Sequence, residues 1–296
     1  MHYLKGEKHC QPHLILSFIL DIISFKQVKF VDKLRKAIQR NRSLVCIGLD
    51  PDHRLMPEIG IFEFNRSIIE ATADIVCAYK PNLAFYEALG SEGLIALNKS
   101  VEYIPSDIPV IGDAKRGDIS HTARLYAKAL FEVFGFDAAT VNPYLGFDGV
   151  EPFIQYEDKG IFILCRTSNP GAMDFQSLPC LRGDSSAGQR LLFEIVAQRA
   201  KEWNQHGNVG LVVGATYPQE LKQIRELCPE MVLLIPGIGA QGGDLAQAVR
   251  YGINNAGEAI FCSSRQILYA SKGNDFAYQA RCAAEELRSR INSLLR

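Results

Sequence analysis

Short apolar runs recur along the chain from residue 43 onward, and each closes on a polar or glycine-rich turn before an amphipathic stretch begins. The runs lie at 44–49, 75–79, 108–111, 138–141, 161–165, 209–213, 232–235 and 259–262. They are continuous rather than alternating, the pattern of parallel strands covered on both faces. Stretches between them, such as 120–134, 188–203 and 244–251, have helical periodicity, with Asp118 and Asp244 placed as N-caps. Eight such units predict an α/β fold, a single-domain (β/α)8 TIM barrel; a doubly wound open sheet is the alternative. No composition shift or long linker divides the chain.

The N-terminal segment departs from this pattern. Its apolar run at 14–25 is interrupted by Asp21, falls short of the ~20 residues of a spanning helix, and is followed by no small-residue cleavage site. Residues 1–27 are therefore expected to be an extension of uncertain role, with 28–296 forming the barrel. Synthesis from a valine codon at Val28 would leave the extension untranslated.

Composition narrows the function. A net charge of -1 provides no global attraction to nucleic acid or acidic membranes, so an anionic substrate needs a local Lys/Arg cluster. Eight cysteines occur without a CxxC pair, and Cys46, Cys77, Cys165 and Cys262 sit in apolar runs, which fits free buried thiols in a reducing cytoplasm. His9, Cys10 and His13 have loose metal-ligand character but lack a second ligand pair, so no metal site is expected.

The chemistry gathers at the ends of the predicted strands. Asp113-Ala114-Lys115-Arg116-Gly117-Asp118 sets a lysine between two carboxylates where a buried strand ends. Desolvating such charges costs several kcal/mol unless they are paired, so the cluster reads as an ion-pair network or a catalytic lysine. Asp50, Lys80-Pro81-Asn82, Asn142-Pro143 and Arg166-Thr167-Ser168 close other strands. In a barrel these ends meet on one face. Pro236 opens the glycine-rich run Gly237-Ile238-Gly239-Ala240-Gln241-Gly242-Gly243, and Ser263-Ser264-Arg265 follows the last strand. Glycines, a helix N-terminus and a guanidinium after strands seven and eight make a seat for phosphate. The long loop at 167–185 is placed above the barrel mouth as a lid.

These motifs resemble one family. The stretch Asp113 to Ile119, the start Ser43-Leu44-Val45-Cys46-Ile47-Gly48-Leu49-Asp50-Pro51-Asp52, Lys80-Pro81-Asn82 and the glycine loop after Pro236 are similar to orotidine 5′-phosphate decarboxylases. Val141-Asn142-Pro143-Tyr144-Leu145-Gly146 and Arg166-Thr167-Ser168-Asn169-Pro170-Gly171-Ala172 resemble its longer bacterial branch, type 2. The resemblance runs from near Phe30 to the C-terminus. It implies a cytoplasmic, cofactor-independent, metal-free decarboxylation of orotidine 5′-phosphate to UMP, the last step of de novo pyrimidine synthesis. It also implies a homodimer with shared active sites and no nucleic-acid or membrane partner.

Carried over by position, the resemblance makes Lys115 the proton donor to C6 and sets Asp113 beside the substrate carboxylate. Asp118 and Thr122 reach into the partner subunit's site. Asp50 and Lys80 bind ribose hydroxyls and complete the charge network. Ser168 contacts the pyrimidine, Gln241 and Arg265 contact phosphate, and Pro236 is a further substrate contact. Many relatives carry glycine before the arginine, where this chain has Ser264, so the phosphate contact here is expected from Arg265 itself. One rival is a sugar-phosphate barrel using Mg2+ held by an extra acidic ligand, although Gly112 precedes Asp113. The other is a catalytically silent nucleotide-binding barrel.

Overall fold

A computed structural model describes residues 28–181, 189–238 and 243–295. The 1–27 extension, the His9–Cys10–His13 cluster, Gln241 and the end of the expected lid lie outside them. Eight parallel strands form the main sheet: β1 (Val45–Leu49), β2 (Ala78–Pro81), β3 (Ile111–Arg116), β4 (Ala138–Val141), β5 (Gly160–Arg166), β6 (Val209–Val213), β7 (Leu233–Pro236) and β8 (Ile260–Ser263). Their order is β2-β1-β8-β7-β6-β5-β4-β3. Parallel bridges Tyr79–Val110 and Asn82–Asp113 join β2 to β3 and close the ring. This excludes the open sheet, which would leave two free edges.

Strand residues alternate between two apolar layers. Val45, Ile47 and Leu49 face the surrounding helices, while Cys46, Ala78, Ile111, Ala138, Phe162, Val212, Leu234 and Cys262 fill the barrel. Phe30 and Leu34 of the first described helix, Phe30–Asn41, join that inner layer, and the Phe30 and Phe162 rings meet edge-on at 5.7 Å. Gly160 admits Phe30, because a Cβ there would lie 2.4 Å from its ring. Two residues further along three strands, the same inward parity replaces Ala78, Ile111 and Ala138 with Lys80, Asp113 and Thr140. The interior thus changes from apolar to charged toward the C-terminal face.

Several boundaries differ from expectation. β3 begins where the expected 108–111 strand ends, and β2 is likewise shifted toward its charged end. Pro109 has no N–H for a ladder, so the apolar run only leads in, its carbonyl accepting from the Tyr79 N–H. Asp118 is not an N-cap. The helix starts at Ser120, its N-cap Ile119 makes no side-chain capping bond, and Asp118 Oδ1 accepts from the Ile119 N–H. Asp244 does cap, accepting from the Gln247 N–H at 3.1 Å. The helix expected from residue 188 begins at Leu192, because Gln189–Leu191 pairs antiparallel with Pro179–Leu181. Glu194 accepts the Leu191 N–H at 2.8 Å and marks that start. Cys46, Cys77, Cys165 and Cys262 are free and buried. Among the described residues no helix is long and apolar enough to cross a membrane.

Candidate active site

The C-terminal ends of the strands enclose a cavity of about 560 Å³, within the usual range for a small-molecule site. Asp50, Lys80, Asp113, Lys115, Ser168, Pro236 and Arg265 all line it. Asp118 and Thr122 do not. Asp118 makes no ion pair among the described residues, and its carbonyl sits against Gly149 on a neighbouring helix.

A lysine–aspartate–lysine chain forms the cavity floor. Lys80 Nζ donates to Asp113 Oδ2 at 2.5 Å, and Lys115 Nζ donates to Asp113 Oδ1 at 2.6 Å. Lys80 and Asp113 are buried, whereas the Lys115 side chain is 49% exposed and reaches into the cavity. Burial alone pushes the Asp113 carboxyl up, but the Lys80 and Lys115 ammonium groups outweigh it and hold it well below the usual range. For Lys80, burial disfavours the charge, but the surrounding groups, Asp113 foremost and then Cys262 and Asp50, together outweigh it and leave the ammonium well above its ordinary value. The chain thus combines a buried ion pair, Lys80–Asp113, with a lysine that has one side open to the cavity.

The backbone that carries these groups is irregular. Gly112 pairs with Ala139 and Arg116 with Val141, so Asp113, Ala114 and Lys115 bulge opposite the single residue Thr140. Lys115 adopts φ 49°, a left-handed conformation uncommon outside glycine. Thr140 Oγ1 accepts the Lys115 N–H and donates to Asp113 Oδ1, both at 2.9 Å.

Across the cavity, Ser264 Oγ donates to Asp50 Oδ2 at 2.5 Å, while Asp50 Oδ1 is buried without a partner among the described residues. Tyr269 Oη donates to the Asp50 carbonyl at 2.6 Å and accepts the Asp52 N–H at 2.7 Å, so the end of β1 is held in place. Arg265 is exposed on the rim, and no carboxylate among the described residues pairs with it. Gly237 (φ 93°) turns the chain at the start of the glycine loop. Ser168 packs against Gly214, where any Cβ would collide with it. Arg166 does not line the cavity. A bulge between Leu164 and Arg166 turns it outward to pair with Glu220 and lie 3.8 Å from the Tyr217 ring centroid.

Comparison with known proteins agrees with this geometry. The profile of the "Orotidine 5'-phosphate decarboxylase / HUMPS family" matches residues 43–278. The chain belongs to that family. A Dehalococcoides mccartyi relative named orotidine 5′-phosphate decarboxylase is 54% identical over 267 residues, spanning 90% of this chain and 98% of its own. The solved Leishmania donovani OMP decarboxylase has a TM-score of 0.79 at 40% identity, covering 90% of this chain and 99% of its own. Leishmania donovani UMP synthase matches with a TM-score of 0.80 and 41% identity over 90% of this chain, which spans 56% of that longer protein.

Thr140, Gln176 and Cys262 also line the cavity of this family member, although no sequence motif marks them as site residues. A hydroxyl at an inward position of an apolar strand was the available signal for Thr140. Gln176 Oε1 accepts the Thr167 N–H at 2.8 Å and ties down the loop after β5, a contact between residues nine apart that spacing does not predict. Cys262 follows the parity of β8, which becomes readable only once the strand's inner face is known.

Proposed function

We propose that this protein is a type 2 orotidine 5′-phosphate decarboxylase that releases CO2 from orotidine 5′-phosphate to give UMP, without a cofactor and in the cytoplasm. The observation that carries the reading is the Lys80–Asp113–Lys115 chain, with Lys115 open to the cavity. Breaking the C6–carboxylate bond leaves the electron pair on C6, where the pyrimidine ring stabilises it poorly. A preorganised ammonium stabilises that charge as it forms. Lys115 then gives its proton to C6 and regains one from solvent. Asp113 keeps Lys115 positioned and lies where the substrate carboxylate would be repelled. Asp50, with one carboxylate oxygen unpartnered among the described residues, suits a ribose hydroxyl. Ser168 suits the pyrimidine, Arg265 and the Pro236 loop with Gln241 suit the phosphate, and Lys80 holds Asp113.

Asp118 and Thr122 complete the partner subunit's site in this reading. Their absence from the cavity of their own chain supports it. So does the apolar surface around them: Ile119 is 58% and Tyr144 81% exposed, with Leu125, Leu145 and Phe147 also exposed. An apolar surface beside polar residues marks an association site. The magnesium-dependent rival needs another acidic ligand beside Asp113. Position 112 has no room for a side chain, since a Cβ there would lie 2.5 Å from the Phe136 ring.

Loss of orotidine 5′-phosphate absorbance, followed with and without EDTA, tests the proposal. Turnover is expected to be unchanged by EDTA and abolished by Lys115→Ala. Activity removed by EDTA would favour the metal-dependent rival. UMP binding without CO2 release would favour the silent barrel.

A further inference from the structure

We infer that Thr140 is a positioning residue for the decarboxylation, acting as the single clamp that sets the Asp113–Lys115 pair in reacting geometry. The inference rests on the decarboxylase reading above. It starts from the register of the sheet. On β4, Thr140 alone faces the three bulged residues of β3, so the regular ladder has no partner for the Lys115 N–H. That N–H goes instead to the Thr140 hydroxyl at 2.9 Å. The hydroxyl has one proton, and it points at Asp113 Oδ1, also at 2.9 Å. One side-chain oxygen therefore bonds the backbone of the lysine and the carboxylate of the aspartate at once. Thr140 is itself 1% exposed and cannot exchange either bond for bulk water.

The lysine needs such a clamp. Its φ of 49° is disfavoured for a side-chain-bearing residue and persists only when its surroundings impose it. Asp113 Oδ1 also receives Lys115 Nζ at 2.6 Å, so the Thr140 proton determines where on that oxygen the ammonium can sit. Without the hydroxyl, Asp113 keeps both lysines but loses the bond that orients its Oδ1, and Lys115 is left with an unpaired N–H beside the cavity. The ammonium could then swing through the open side of the site. Substrate contacts made by Asp50, Ser168 and Arg265 come from other strands and are untouched. The expected signature is a loss in the chemical step with binding intact.

Thr140→Val preserves shape and removes only the hydroxyl; Thr140→Ser preserves the hydroxyl. Purified wild type and both variants are compared for kcat, for KM on orotidine 5′-phosphate, and for UMP affinity by calorimetry. Thr140→Val is expected to lower kcat by about 10- to 100-fold, the scale of one lost hydrogen bond to a charged group. KM and UMP affinity should stay within about twofold, and Thr140→Ser should recover most of kcat. A Thr140→Val enzyme as fast as wild type overturns the clamp. So does a parallel loss of kcat, UMP affinity and thermal stability that Thr140→Ser fails to restore, which would mark plain packing. A wild-type protein that binds UMP but does not turn over overturns the functional reading instead, so the two failures are distinct.

Discussion

Asp113 is the residue on which the charge balance of the cavity depends. It is 8% exposed, accepts from two ammonium groups, and is held well below the ordinary carboxylate range by Lys80 and Lys115 against the opposing effect of burial. Its stabilisation is complete above the unfolded value near pH ~4 and is lost as pH falls through the lower folded value. Lys80, held above the ordinary lysine value, contributes fully below about pH 10 and loses its contribution as pH rises through the folded value. Asp113→Asn leaves buried Lys80 without its ion-pair partner, which should cost about 3–5 kcal/mol near neutral pH. Urea unfolding at pH 7 measures that loss, and the gap to wild type should be narrower at pH 3. An equal gap at both pH values would show that packing, not charge, makes Asp113 important. Lysine and aspartate at this strand end were legible from spacing alone. That Lys80 is the buried partner was not, since it comes from a strand 33 residues away and only the β2–β3 closure brings them together.

At the scale of the element, β3 shows why a charged strand was hard to place. Apolar character located the run at 108–111, yet the paired strand is Ile111–Arg116. Ladder bonds are made by backbone, and inward Asp113 and Lys115 are tolerated because partners from β2 and β4 satisfy them. Gly112 allows the strand to lie flush against the Phe136 ring. Gly112→Ala should therefore push β3 away from that ring, cost about 1–3 kcal/mol by overpacking, and lower kcat because Asp113 moves with it. Phe136→Leu in the same chain should restore part of both. Unfolding and turnover measured across the four variants of that cycle check the coupling; additive effects would mean that the ring is not what Gly112 accommodates. The shifted start of the helix at Leu192 has a related cause, since hairpin pairing with Pro179–Leu181 takes up Gln189–Leu191 before helical periodicity can act.

At the scale of the whole molecule, the barrel gathers residues from Asp50 to Arg265 around one cavity but leaves Asp118 and Thr122 outside it. Lys115→Ala and Asp118→Ala enzymes should each be severely impaired. Mixed in equal amounts and allowed to exchange subunits, they should regain activity under the shared-site dimer proposed above, in which half of the heterodimer's sites combine an intact Lys115 with the partner's intact Asp118. Heterodimers that form, by native mass, yet stay inactive would confine the whole motif to one chain. The order of elements, the barrel class and most cavity residues could be read from the sequence alone. Continuous apolar runs specify buried parallel strands, and charged strand ends have no economical place except a shared face. The tertiary structure decided the closure through β2 and β3, the bulge at Lys115, the Thr140 contacts and the outward turn of Arg166. Each depends on the register between strands distant in sequence, and register is a property of paired backbones that no single run of side chains encodes.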